Sequence, residues 1–120
     1  FLERHAEPLT GANAVIRGRV PDEELLRRAR EWQVLKAEAG FAAITWAPEH
    51  GGRGGTPMEQ VIYAQEEARF AVPRGVYEIG LGMCVPTVIT HGTPDQHARH
   101  VAPAVRGEEI WCQLFSEPAA

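Results

Sequence analysis

Several features are scarce in this chain of 120 residues, and each scarcity narrows what it can be. Cysteine occurs twice, at Cys84 and Cys112, outside any C-x-x-C or paired-histidine pattern. Neither a disulfide scaffold nor a zinc site fits that spacing, and two buried free thiols in a reducing compartment are expected. Charge of one sign is not in excess. The formal net charge of -4 is scattered along the chain, so no basic face invites nucleic acid or anionic lipid. No secretory leader opens the sequence, which begins at Phe1 rather than methionine. The longest apolar stretch, Val76–His91, is broken by Glu78, Gly80, Gly82 and Pro86, which argues against a membrane span. Hydrophobic content of 44% and charged content of 23% place the chain among globular proteins large enough to bury a core.

What is present reads as helices divided by glycine and proline turns. Phe1–Pro8 resembles the end of a helix already under way, stopped by Pro8 and Gly11. Residues 10–20 have no period and are expected as loop. A helix is predicted from near Pro21 to Gly40, with Asp22, Glu23 and Glu24 in its first turn, where negative charge offsets the helix dipole. Leu25, Ala29, Trp32 and Leu35 make an apolar stripe with Leu26 and Ala39 beside it, while Arg27, Arg28, Arg30 and Glu31 face water. Gly40 supplies a left-handed stop. In the stretch that follows, Gly51, Gly52, Gly54 and Gly55 deny regular structure. A phosphate loop would need G-K-[ST] in a strand–loop–helix unit, and that is missing. Glu49 and His50 are expected as an ordered pair in a structural turn, with acid–base chemistry as the alternative.

Thr56-Pro57-Met58-Glu59 combines a cap, a proline at the first helical position and a glutamate that closes a capping box. The helix behind it is expected to reach about Ala71, with Val61, Ala64, Ala68 and either Gln65 or Phe70 on one face. Glu66 and Glu67 are neighbours on that helix, so at most one faces inward, and an Arg69 or backbone partner is expected rather than a catalytic dyad. Val76–His91 is predicted as a helix apolar on every face and therefore buried on every face. Gly80 and Gly82 each cost ~1 kcal/mol relative to alanine, and Pro86 removes a hydrogen bond. So many defects imply that another helix, or a ligand, packs close to this backbone. Thr93-Pro94-Asp95-Gln96 repeats the capped start and opens a last helix through His97, His100, Val101 and Val105 to Gly107. His97 and His100 are helical neighbours without a suitably spaced third ligand, so they are read as solvated surface residues rather than a metal pair.

After Gly107 the pattern changes. Ile110, Trp111, Cys112, Gln113, Leu114 and Phe115 read as a strand, ended by Ser116-Glu117-Pro118 because proline cannot donate to a ladder. A strand without a partner is not stable alone. Residues 1–109 are therefore expected to form a mainly α, up-and-down bundle-like domain, and residues 110–120 the first strand of a β-domain otherwise missing.

Taken in order, these motifs resemble the acyl-CoA dehydrogenases. WAPEHGGRGG is similar to that family's Trp-x-Pro-Glu-x-Gly-Gly loop, and MEQVIYAQEEARF to the helix after it. HGTPDQHARHVAPAVRGEEIWCQLFSEPAA resembles its Gly-Thr-x-x-Gln helix, Gly-Glu turn and the Ser/Thr-Glu-Pro strand that enters the middle domain. The resemblance implies a flavoprotein oxidoreductase of fatty acid metabolism with a helical N-terminal domain, a β-domain and a C-terminal four-helix bundle that builds a dimer or tetramer. It implies that Gln113, Leu114, Phe115 and Ser116 line the edge of FAD, and that Val76, Ile79 and Met83 border the chain of an acyl-CoA substrate. Electron-transfer flavoprotein is the implied electron acceptor, and the cytoplasm or another reducing compartment the implied location. Nothing in this chain corresponds to the family's catalytic carboxylate, so no catalytic residue is expected here. Flavin monooxygenases, acyl-CoA oxidases and nitroalkane oxidases share the pattern, and a non-enzymatic helical interaction module is the reading from another class.

Overall fold

The structure, a computed structural model, describes residues 1–115. Its helices are α1 (Leu2–His5), α2 (Asp22–Glu38), α3 (Pro57–Glu67), α4 (Val85–His91) and α5 (Pro94–Val105). A 3-10 turn, Pro48–His50, lies between α2 and α3, and a π-helical segment, Gly80–Cys84, runs directly into α4. Among the described residues β pairing is confined to two isolated bridges, Pro8–Phe70 and Arg17–Val20. The domain is mainly helical, as the sequence predicts.

The boundaries follow from local chemistry. α2 begins with its three acids and buries Leu25, Ala29, Trp32 and Gln33. Arg27 and Arg28 meet Glu24, and Arg27 also meets Glu31, on the exposed side. The helix ends in a Schellman motif: Phe41 N–H donates to the Lys36 carbonyl at 2.7 Å and Gly40 N–H to that of Ala37 at 3.1 Å, with Gly40 at φ 75°. Both capping boxes form. Thr56 Oγ1 accepts from Glu59 N–H at 3.2 Å while Glu59 Oε2 accepts from Thr56 N–H at 2.6 Å. Thr93 and Gln96 repeat the exchange at 3.3 and 2.7 Å. The core gathers Ala43, Val85, Val101, Ala104 and Val105, with Trp46, Leu81, Ile89 and Trp111 packed around them.

Several expectations are corrected. α3 stops at Glu67, and Val61 is exposed, as are Ala64 and Ala68. The half-buried side is Tyr63 and Glu67, with the expected Phe70, because Trp32 and Lys36 of α2 both reach Glu67. The helix expected over Val76–His91 is interrupted. Pro86 has no N–H to give, and just before it Val85 N–H reaches back five residues to the Gly80 carbonyl, opening the π turn. Nor is this segment buried all round: Ile79 is 44% and Met83 52% exposed. Cys84 is half-buried and Cys112 exposed, so the thiols are free but not core residues. Ile110–Phe115 pairs with no strand among the described residues, its expected ladder partners being those of another domain.

Candidate functional site

The site predicted from the sequence depends on how the chain leaves α5, and that exit is built with care. A second Schellman motif ends α5, with Gly107 N–H donating to the Ala104 carbonyl at 3.1 Å and Glu108 N–H to that of Pro103 at 2.9 Å. Gly107 sits at φ 74°, and a β-carbon there would lie 2.9 Å from Gln33 Cγ and 3.1 Å from the Tyr77 hydroxyl. Two side chains from other elements close the turn. Gln33 Nε2 donates to the Val105 carbonyl at 2.7 Å, and Tyr77 donates its hydroxyl to the Gly107 carbonyl at 2.8 Å. Burial pushes the Tyr77 hydroxyl pKa above its ordinary value, and Arg30 opposes the shift.

Beyond the turn Trp111 rests on the π segment. A β-carbon on Gly80 would stand 3.2 Å from Trp111 Cβ, so the glycine leaves room for this close approach, and the element that packs against the backbone is the chain's own tail. His100 stands edge-on to the Trp111 ring at 5.4 Å, with its Nδ1 3.7 Å from Glu109 Oε2. Arg99 donates to Glu109 at 2.6 Å and, with a smaller contribution from His100, holds that carboxyl below the usual carboxylate range. The expected solvated histidines are therefore half-buried packing residues. His97 Nε2 lies 2.9 Å from the Val88 carbonyl, and His50 stands edge-on to His97 at 5.5 Å. No Glu49–His50 ion pair forms among the described residues.

Of the residues assigned to a flavin edge, Gln113 places its Nε2 3.4 Å from Met83 Sδ, while Leu114 is 90% and Phe115 80% exposed. Ser116 lies outside the described residues. Ile79 and Met83 are open apolar side chains on the segment that carries Gly80. Val76 is not grouped with them. It lines a cleft of about 530 Å³ between α2, α3 and the π segment, together with Trp46, Leu81 and Gly82. The polar end of that cleft is a closed network: Glu67 accepts from the Trp32 indole N–H at 3.0 Å and the Tyr63 hydroxyl at 3.1 Å, with Lys36 Nζ at 3.6 Å. Glu66 turns outward to Arg69. The two glutamates thus point apart, as helical geometry demands, and form no catalytic dyad. The glycine-rich loop is likewise structural, since a β-carbon on Gly52 would overlap the Trp46 carbonyl. Gln33, Tyr77 and Trp111 escaped sequence reasoning. Of the three, Gln33 left a readable signal, a polar residue four positions after Ala29 on a buried stripe.

The same pattern occurs in known proteins. The family model for the acyl-CoA dehydrogenase N-terminal domain matches residues 1–108. The acyl-CoA dehydrogenase FadE34 of Mycobacterium tuberculosis is 47% identical over 88 residues, covering 73% of this chain and 12% of that protein. The acyl-CoA dehydrogenase IpdE1 of the same organism is 36% identical over 119 residues, covering 96% of this chain and 31% of that protein. The chain spans less than a third of the length of these relatives. In fold it resembles the Tcur3481-Tcur3483 steroid ACAD, with a TM-score of 0.67 at 24% identity over 86% of this chain and 29% of the other.

Proposed function

This chain belongs to the acyl-CoA dehydrogenase family, whose N-terminal domain it matches, and on that premise we propose that the whole protein is an FAD-dependent dehydrogenase of acyl-CoA thioesters. The observation that carries the proposal is the tail, laid against the π segment through Trp111 and Gln113 with Leu114 and Phe115 uncovered.

The donor set of that tail suits a flavin edge. Among the described residues Cys112–Phe115 make no backbone hydrogen bond, so their N–H and C=O groups are free to meet the polar rim of a planar ring. Leu114 and Phe115 add an apolar wall that excludes water from it. Gln113, Leu114, Phe115 and Ser116 would hold the cofactor, as residues 110–120 begin the middle domain. When bound, FAD supplies the hydride acceptor for the β-carbon of the thioester. Ile79 and Met83, beside Gln113, would take an alkyl chain out of water, and Val76 would continue that wall into the neighbouring cleft.

No residue of this chain removes the α-proton; that carboxylate belongs to the rest of the protein. Its electrons pass to electron-transfer flavoprotein, and the assembly is a dimer or tetramer in a reducing intracellular compartment. The test is anaerobic titration of the purified whole protein with saturated acyl-CoA. The expected result is a stoichiometric flavin spectrum that bleaches on addition of substrate. A protein that purifies without flavin, or whose flavin no acyl-CoA reduces, overturns the proposal.

A further inference from the structure

Gln33 is the one buried polar side chain of the core among the described residues, at 1% exposure. Burying an amide is unfavourable unless its hydrogen bonds are met. α2 has no need of it, because an aliphatic side chain at this point of the Leu25–Ala29 stripe would pack without that cost. Its donor goes instead to the carbonyl of Val105, the last residue of α5, which the helix itself leaves without a partner. Tyr77, from the segment before the π turn, engages the carbonyl of Gly107. Two buried donors from separate elements therefore grip one turn, and the chain leaves it to seat Trp111 against Gly80.

We propose that Gln33 and Tyr77 are positioning residues for the cofactor. They clamp the Gly107 turn and so fix where Gln113, Leu114 and Phe115 stand relative to the helices. The inference rests on the flavin reading of that tail. Between Gly107 and Gln113 the chain can span at most roughly 20 Å. A swing of about 10° at the turn then displaces the far end by up to about 3.5 Å, while a working site tolerates roughly 0.5 Å. The clamp thus sits where a small angular error does most harm.

The test uses the whole flavoprotein and two matched hydroxyl deletions. Tyr77→Phe removes the bond to Gly107. Tyr63→Phe removes an equivalent bond, made to Glu67 on α3 rather than to this turn, and serves as the control for stability. Tyr77→Phe should raise the FAD dissociation constant roughly two- to tenfold, the scale of one buried hydrogen bond. It should also shift the flavin absorption band and quicken amide exchange over residues 107–115. Tyr63→Phe should leave all three unchanged. Gln33→Leu, which removes the donor to the Val105 carbonyl, should reproduce the Tyr77→Phe effects. If Tyr77→Phe and Tyr63→Phe behave alike, the clamp is overturned. If exchange quickens while FAD affinity and spectrum hold, the turn is clamped but positions no cofactor, and the inference fails. A wild-type protein without flavin would refute the functional proposal instead, a result distinct from either.

Discussion

Gly107→Ala tests whether the turn after α5 is crowded as well as left-handed. Gly40 is the natural comparison, because it ends α2 in the same motif at φ 75° against 74° for Gly107. An alanine at either position meets the same backbone penalty, roughly 1–2 kcal/mol for a left-handed residue with a β-carbon. The surroundings differ. At Gly40 the new methyl would meet Arg53 Cγ at 3.2 Å, on an exposed and flexible side chain that can move aside. At Gly107 it would meet Gln33 Cγ at 2.9 Å, Gln33 Cβ at 3.0 Å and the Tyr77 hydroxyl at 3.1 Å, all on buried residues held by their own hydrogen bonds. Overpacking of that kind costs about 1–3 kcal/mol. Gly107→Ala is therefore expected to destabilise by roughly 2–5 kcal/mol and Gly40→Ala by about 1–2 kcal/mol. In thermal unfolding the gap between them should be roughly 3–6 °C for each kcal/mol of difference. Equal losses in the two variants would show that Gln33 and Tyr77 yield freely, and the argument for a rigid turn would fall with them.

Three further outcomes are expected. Phe115→Ser should change the unfolding free energy of this chain by no more than about 0.5 kcal/mol, because the side chain is 80% exposed, yet it should weaken FAD retention in the whole protein; equilibrium denaturation and flavin absorbance check the two halves. The chain on its own should hold no FAD through gel filtration, since Leu114 and Phe115 stand uncovered within it. The Arg99–Glu109 pair should give an acid-sensitive contribution. Glu109 has its pKa lowered in the folded state, so its stabilisation is complete above the unfolded carboxylate range and is lost as pH falls through the folded value. Arg99→Gln should flatten the stability profile in that acid window, and an unchanged profile would refute the assignment.

The sequence disclosed much of the fold because helix ends are written in short-range chemistry. Thr56, Glu59, Thr93 and Gln96 cap as their spacing requires, and Gly40 and Gly107 sit where left-handed residues end helices. What it hid depends on partners distant along the chain. Val61 and Ala64 on α3 share a face, but Glu67 decides which side turns inward, through Trp32 and Lys36 of α2. Gly80 signalled a close approach without naming Trp111, a residue thirty-one positions away, as the cause. The residues proposed for a flavin edge and an acyl chain rest on family resemblance alone, since periodicity assigns Ile79 and Met83 to a buried helix and the structure leaves them open.

The two capping boxes differ by a single chemical group, and that difference divides the boxes by their response to acid. Glu59 closes the first box as a carboxylate, held below its ordinary pKa mainly by the Thr56 backbone N–H. Gln96 closes the second as an amide, which has no proton to take up. Acidification therefore loosens the start of α3 and leaves the start of α5 alone. α5, the helix that feeds the Gly107 turn, is thus closed at its start by a group that acid does not touch, while its far end carries the acid-sensitive Arg99–Glu109 pair. The chain carries its own internal control, two nearly identical knots of which acid can untie one.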